Sequence, residues 1–227
     1  MTPGARERHI PGMAWRDRFE ALVRELRARP EITVREATIG PPTDPAEIAR
    51  AKAIAGAAWP EGMSELYTDL SFVDLGYEVA GSGGNGGAIH IPRVADVWDH
   101  AGHEDELWFD WMLEENPEHP FAKVRPIDRF VEEAYAVLYP VPGGAPATVH
   151  YHFCGESLVP TGLTFAAWLE LLLRARGAMY WLTLPAGRSL GRTWVEENHA
   201  RIQAIFPDFD PDALKPLTPP EAIDPLG

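Results

Sequence analysis

Three groups able to hold a metal or act as a nucleophile alternate along one short segment: His150, His152 and Cys154 in VHYHFC, residues 149–154. A period of two puts them on one face of a strand, with Val149, Tyr151 and Phe153 on the other. Two imidazoles and a thiol on one face could begin a zinc site. Structural zinc asks for four ligands, often from paired short spacings. Cys154 is the only cysteine, so further ligands would have to come from His90, His100, His103 or a carboxylate. The competing reading is a partly solvated sheet face with Cys154 as a small buried apolar group. A reactive thiol usually sits at a helix N-terminus, and mid-strand is a poor place for one. A metal-dependent hydrolase is therefore kept only as a second alternative.

Other chemistry-bearing patterns lack their context. Gly81 to Gly87 (GSGGNGG) invites a phosphate-binding reading, but a P-loop needs a Lys-Ser/Thr pair and a following helix. Here Ala88-Ile89-His90-Ile91 follows, which reads as a strand, so the glycines suit a hairpin tip. His100, His103, Glu104, Asp105 and Glu106 lie close together without the spacing of HExxH, and suit an exposed helix start whose acids complement the dipole. No GxSxG elbow exists, and Ser157 lacks the strand-turn-helix setting of one. The sequence therefore assigns no catalytic residue, no cofactor and no metal ligand.

Charge is the stronger signal. The chain carries 20 basic and 34 acidic residues, a net charge of −14. Residues 61–133 hold 17 acidic and 4 basic groups, so most of the excess lies in the middle third. Such a balance argues against nucleic-acid binding, which needs a basic footprint. It suits either a solubilising surface or one that steers a basic protein partner. Trp108 and Phe109 are adjacent and point to different sides of a helix. An exposed aromatic there, ringed by Glu104, Asp105, Glu106, Asp110, Glu114 and Glu115, would make an acidic-rimmed anchor for a partner. These residues form the candidate partner-binding site.

The elements that must position these groups can be read from periodicity. Residues 1–12 look like a loose leader. Trp15, Phe19, Leu22, Val23 and Leu26 recur at helical spacing, ending near Arg29-Pro30. Ile32 and Val34 suit a short strand. Asp44-Pro45-Ala46-Glu47 is a helix start, and Trp59-Pro60-Glu61 opens a short helix carrying Met63, Leu66 and Tyr67. Val73, Leu75, Tyr77 and Val79 alternate as a strand, paired through the glycine turn with 88–91. Val94 to His100 suits a helical turn and Glu104 to Glu114 a helix. Lys123 to Asp128 reads as an extended segment on a sheet edge, where proline is tolerated. Ala134 to Tyr139 and Thr148 to Cys154 read as strands. Thr164 caps a helix from Phe165 to Arg176, stopped by Gly177. Met179 to Leu184 suits a short strand or docked segment, and a last helix spans roughly 191–206 before a Pro/Asp-rich tail, 208–227, expected to be loose. The order predicts an α+β fold, a central antiparallel sheet with helices on one face and at the ends.

With 45% apolar residues the chain can build a real core. The lone cysteine favours a reducing compartment. Without an apolar h-region near the N-terminus or a run long enough to span a bilayer, a soluble cytoplasmic protein that binds no membrane is expected.

Three segments resemble the SUKH superfamily, the group with the Smi/Knr-type domain. Trp59 to Tyr67 (WPEGMSELY) is similar to its proline, short helix and Leu-Tyr entry. Gly87 to Pro92 (GAIHIP) is similar to its glycine-hydrophobic second strand, and Leu163 to Leu173 (LTFAAWLELLL) to its C-terminal helix. The resemblance spans about 44–182. Asp69-Leu70-Ser71-Phe72 stands where the family often has a polar-glycine turn and a strand tryptophan, and the insertion 104–120 is long. It implies a SUKH-like domain at 44–184, preceded by a leader and packed helix at 1–43 and followed by a helix and tail at 185–227. It further implies a non-enzymatic protein-binding role. Many bacterial members resemble immunity proteins that neutralise a toxin, often a basic nuclease, by binding it. The alternative is a regulatory scaffold.

Overall fold

The computed structural model describes residues 13–99, 118, 120–141, 143–153, 158–216 and 221–222. The fold is α+β, with two antiparallel sheets of three and four strands among the described residues. Helix α1 (Trp15–Arg27) buries Phe19, Leu22, Val23 and Leu26, the apolar stripe its spacing predicts. Strand β1 (Ile32–Ile39) is longer than expected and pairs with β2 (Val73–Val79), which pairs with β3 (Gly86–Ile91). Strand β2 shows the predicted alternation, with Val73, Leu75, Tyr77 and Val79 inward. Helix α2 (Pro45–Ala55) starts where Asp44 accepts from the Ala46 amide at 2.8 Å, and α3 (Met63–Asp69) buries Met63, Leu66 and Tyr67.

Helix α4 (Val94–Trp98) precedes the second sheet: β4 (Arg125–Val131), β5 (Ala134–Val141), β6 (Ala145–Phe153) and β7 (Val159–Leu163), in that spatial order. Strand β4 is an edge strand, as Pro126 requires. Strand β7 was not expected from the sequence. Pro160 and Gly162 look like loop punctuation, yet β7 occupies the opposite edge, where a missing amide costs no ladder bond. The two sheets replace the single central sheet expected. Their edge strands β3 and β4 pack side by side without a backbone ladder.

Helix α5 (Phe165–Ala175) is capped as predicted, the Thr164 hydroxyl accepting from the Ala167 amide at 3.2 Å. Arg176 and Gly177 both turn left-handed after it. The chain then docks on the outer edge of β3. The Ala88 amide donates to the Gly177 carbonyl at 2.8 Å, and the Met179 amide to the Gly86 carbonyl at 3.0 Å. A 3-10 turn, Trp181–Thr183, leads to helix α6 (Thr193–Ile205), whose Asn198 side chain donates to the same Gly86 carbonyl. Phe206 and Phe209 are buried beyond it, so the start of the expected loose tail is packed. Residues of α1, both sheets, α5, α6 and this tail form one continuous buried cluster. Among the described residues, no helix is long and apolar enough to cross a membrane.

Candidate functional site

The acidic, aromatic stretch singled out by sequence, with Glu104, Asp105, Glu106, Trp108, Asp110, Glu114 and Glu115, lies outside the described residues, as do His100, His103, Cys154 and Ser157. The described part of the acidic third shows how its carboxylates are used. Asp74 meets His90 at 2.5 Å and Glu78 meets Arg35 at 2.7 Å, both on the outer face of the first sheet. Asp99 meets Arg50 at 3.2 Å. Glu61, Glu65 and Glu132 are exposed.

His150 and His152 share a face of β6, as the period of two requires, opposite Val149 and Tyr151. The expectation that this face is partly solvated is corrected: both histidines are buried, His152 completely. The neighbouring strand explains it. Ala134 to Leu138 of β5 are all buried, so this part of the sheet is covered on both sides, and Tyr135 and Val137 sit in register beside His152 and His150. Burial lowers both imidazole pKa values, that of His152 to about 4, while the Thr148 carbonyl, 3.2 Å from His150 Nδ1, opposes the shift at His150. The Tyr139 ring packs edge-on against His150 at 5.5 Å. Among the described residues, no group of three or more His, Cys, Asp or Glu is placed to hold a metal. The pair is arranged as neutral core imidazoles.

Two places that combine chemistry and access were missed by sequence reasoning. The first is a corner made by Glu133 in the β4–β5 turn, Tyr180 after α5 and Arg192 before α6. The Tyr180 hydroxyl donates to Glu133 Oε1, and Arg192 Nη1 lies 3.4 Å from the same oxygen. Tyr180 holds φ +59, unusual for a bulky residue, while its ring packs edge-on against Trp194 and Phe130. Burial raises the Glu133 pKa, but the Tyr180 and Arg192 contacts outweigh it, so the carboxylate stays below its ordinary value. Burial and Glu133 together hold the Tyr180 phenol protonated. The corner is a charged tie that fixes the docked segment. Its members are 47 and 12 positions apart, and no local pattern announces them.

The second is an open cleft between the start of α1 and α3, lined by Met13, Ala14, Trp15, Ser64, Glu65, Thr68 and Asp69. Met13 is 40% exposed, one of two large apolar side chains so exposed among the described residues. Asp69 Oδ2 accepts from the Trp15 amide at 2.6 Å and so caps α1, which has no cap of its own. The Arg18 guanidinium lies over the Trp15 ring at 4.2 Å. Its lining sets Met13, Ala14 and Trp15 beside Ser64, Glu65, Thr68 and Asp69, with no imidazole, thiol or lysine. Like the stretch around Trp108 in the sequence, it places a tryptophan near carboxylates.

The three segments carrying the SUKH resemblance fall in order on the entry to α3 and α3 itself, on β3, and on the β7 end with α5. No protein-family model matches the chain, and no curated protein matches it.

Proposed function

We propose that the protein is a non-enzymatic, SUKH-like protein-binding domain, an immunity protein that neutralises a basic toxin domain by occupying it. The observation that carries this reading is the charge distribution, 17 acidic against 4 basic groups in residues 61–133. A nuclease toxin is basic where it grips phosphate. An acidic partner gains on-rate by steering toward that surface and affinity by covering it. The cleft between α1 and α3 supports the reading, since Met13 and Trp15 supply apolar contact beside Glu65 and Asp69. The histidines of β6 support it in another way: they are spent in the core, with their basicity suppressed by burial.

The test is capture from the native cell followed by mass spectrometry, then binding of the recovered partner across a salt series. Charge reversal at Glu104, Asp105, Asp110, Glu114 and Glu115 is expected to weaken capture and flatten its salt dependence. Unchanged affinity and salt slope in the reversed protein would reduce the acidic stretch to a solubilising surface and overturn the proposal.

A further inference from the structure

Among the described residues, β3 has a strand partner on one side only. Its outer edge is satisfied at Gly86 and Ala88 by the chain leaving α5, but the His90 amide has no strand beside it to accept its hydrogen. The acceptor is a side chain: Asp128 Oδ1 of β4 lies 2.7 Å from the His90 nitrogen. The β4–β5 register shifts on both sides of Asp128. Irregularities of this kind re-aim a side chain out of its regular direction. Here they send a carboxyl group across the gap to do what a backbone carbonyl does within a sheet. Asp128 is 0% exposed, and its Oδ2 has no hydrogen-bond partner among the described residues.

We propose that Asp128 is a proton-operated latch between the two sheets, closed when its carboxyl group is protonated and released when it ionises and the seam between β3 and β4 admits water to Oδ2. The physical reason is the cost of an unsolvated negative charge. A neutral carboxyl group can accept from the His90 amide and leave its second oxygen dry at modest cost. A carboxylate cannot, because a buried charge needs more than one amide to balance its lost hydration. Charged and titratable side chains on the elements packed at the seam do not supply that balance. His90 of β3 is exposed and engaged with Asp74, Arg125 and Arg129 of β4 lie against the Trp98 and Tyr135 rings, and Tyr139 of β5 packs on His150. Asp96 of α4 is itself acidic. Burial accordingly raises the Asp128 pKa from 3.8 to about 7, with the His90 amide acting the other way. A folded-state pKa above the unfolded one gives stability that is complete below pH 3.8 and lost as pH rises through 7.

The test is hydrogen exchange at pH 5.5 and pH 8.5, with rates corrected for intrinsic pH dependence and read as protection factors. The His90 amide and its β3 neighbours are expected to lose about tenfold or more in protection across that interval. Amides of α5, which open only with the whole fold, stay better protected than those of β3 at both pH values. Asp128→Asn keeps the acceptor and cannot ionise, so in it the loss should vanish. A carboxyl carbon titration of the unmodified protein gives a second reading that needs no variant. Titration of Asp128 below pH 5, flat β3 protection, β3 protection as high as that of α5 at pH 8.5, or the same loss in Asp128→Asn would each overturn the latch.

Discussion

The Arg176 guanidinium forks onto the Glu25 carboxylate, with Nε 3.2 Å from Oε2 and Nη2 2.9 Å from Oε1. The residues are 151 positions apart, and the pair ties the end of α5 to α1. Arg176 Nη2 also reaches both Asp208 oxygens at 3.0 Å, Nη1 donates to the Arg174 carbonyl, and the guanidinium lies 4.1 Å from the Phe206 ring centroid. One side chain, 3% exposed, therefore joins α1, the end of α5 and the segment after α6.

Removing that hub should destabilise the whole chain. Arg176→Met leaves two carboxylates facing an apolar group. Both carboxylates are partly exposed and can recover water, so the cost should be about 2 kcal/mol rather than the larger value of a fully buried pair. Arg176→Lys should recover less than half, because an ammonium cannot fork onto one carboxylate while reaching another. Denaturant unfolding measures both. A loss within about 0.5 kcal/mol for Arg176→Met would show that the ion pairs are mere surface contacts.

Gly177 makes a separate, local demand. Its φ is +64, and a Cβ there would lie 2.5 Å from the Ala88 carbonyl oxygen and against Ile89 Cγ1. The contact is close because the Gly177 carbonyl accepts from the Ala88 amide, which docks this turn on β3. Gly177→Ala should therefore cost backbone strain plus a displaced strand contact, about 2–3 kcal/mol in total. Gly81→Ala is the control: φ is +72 with open space around it, so only the strain of about 1 kcal/mol is expected. Equal losses in urea titrations of the two variants would mean that the close approach to β3 carries no energy.

What was legible in the sequence was local. The stripe from Trp15 to Leu26, the Asp44-Pro45 and Thr164 starts, the alternation of Val73 to Val79 and the glycine stop at 177 each depend on near neighbours, and each appears in place. What failed depended on distant partners. Ala134 to Leu138 is an unbroken apolar run, the mark of a strand covered on both faces. A strand so covered carries its paired neighbours His150 and His152 into the core with it. Nothing near Asp128 says that it will complete the edge of β3, and nothing near Tyr180 says that its hydroxyl will donate to Glu133. The acidic cleft at Met13 and Trp15 is assembled from α1 and α3, whose amphipathic stripes were legible while their crossing was not.

Asp69 links that cleft to stability. Its Oδ2 caps α1 at the Trp15 amide and adds a negative charge at the positive end of the helix. Asp69→Ala should cost about 1 kcal/mol. Asp69→Asn should cost less than half of that, because it keeps the acceptor and loses only the charge. If the cleft also binds the partner, Asp69→Asn weakens capture more than it weakens folding. Parallel thermal melts and binding measurements separate the two, and equal small changes in both would confine Asp69 to capping.

Buried imidazoles should set the acid limit of the fold. The His152 pKa falls from 6.5 to about 4 because burial disfavours its charged form. A depressed folded-state pKa contributes stability that is whole above pH 6.5 and lost as pH falls through 4. The unfolded chain takes up the proton first, across the interval between the two values. The loss has a ceiling of about 3 kcal/mol from this one group, and His150, shifted in the same direction, adds to it. His152→Phe keeps a flat ring in the slot and has nothing to protonate. Its unfolding free energy should therefore fall less steeply than that of the unmodified chain between pH 6.5 and 4, even if the substitution costs stability at neutral pH. Asp128 works in the opposite sense across this whole range, since its contribution grows as pH falls from about 7 to 3.8. The comparison must therefore be made as a difference between variant and parent at each pH, where the Asp128 contribution cancels. A difference that stays constant from pH 7 to 4 would mean that His152 keeps its ordinary basicity, and that the face of β6 it occupies is open to water after all.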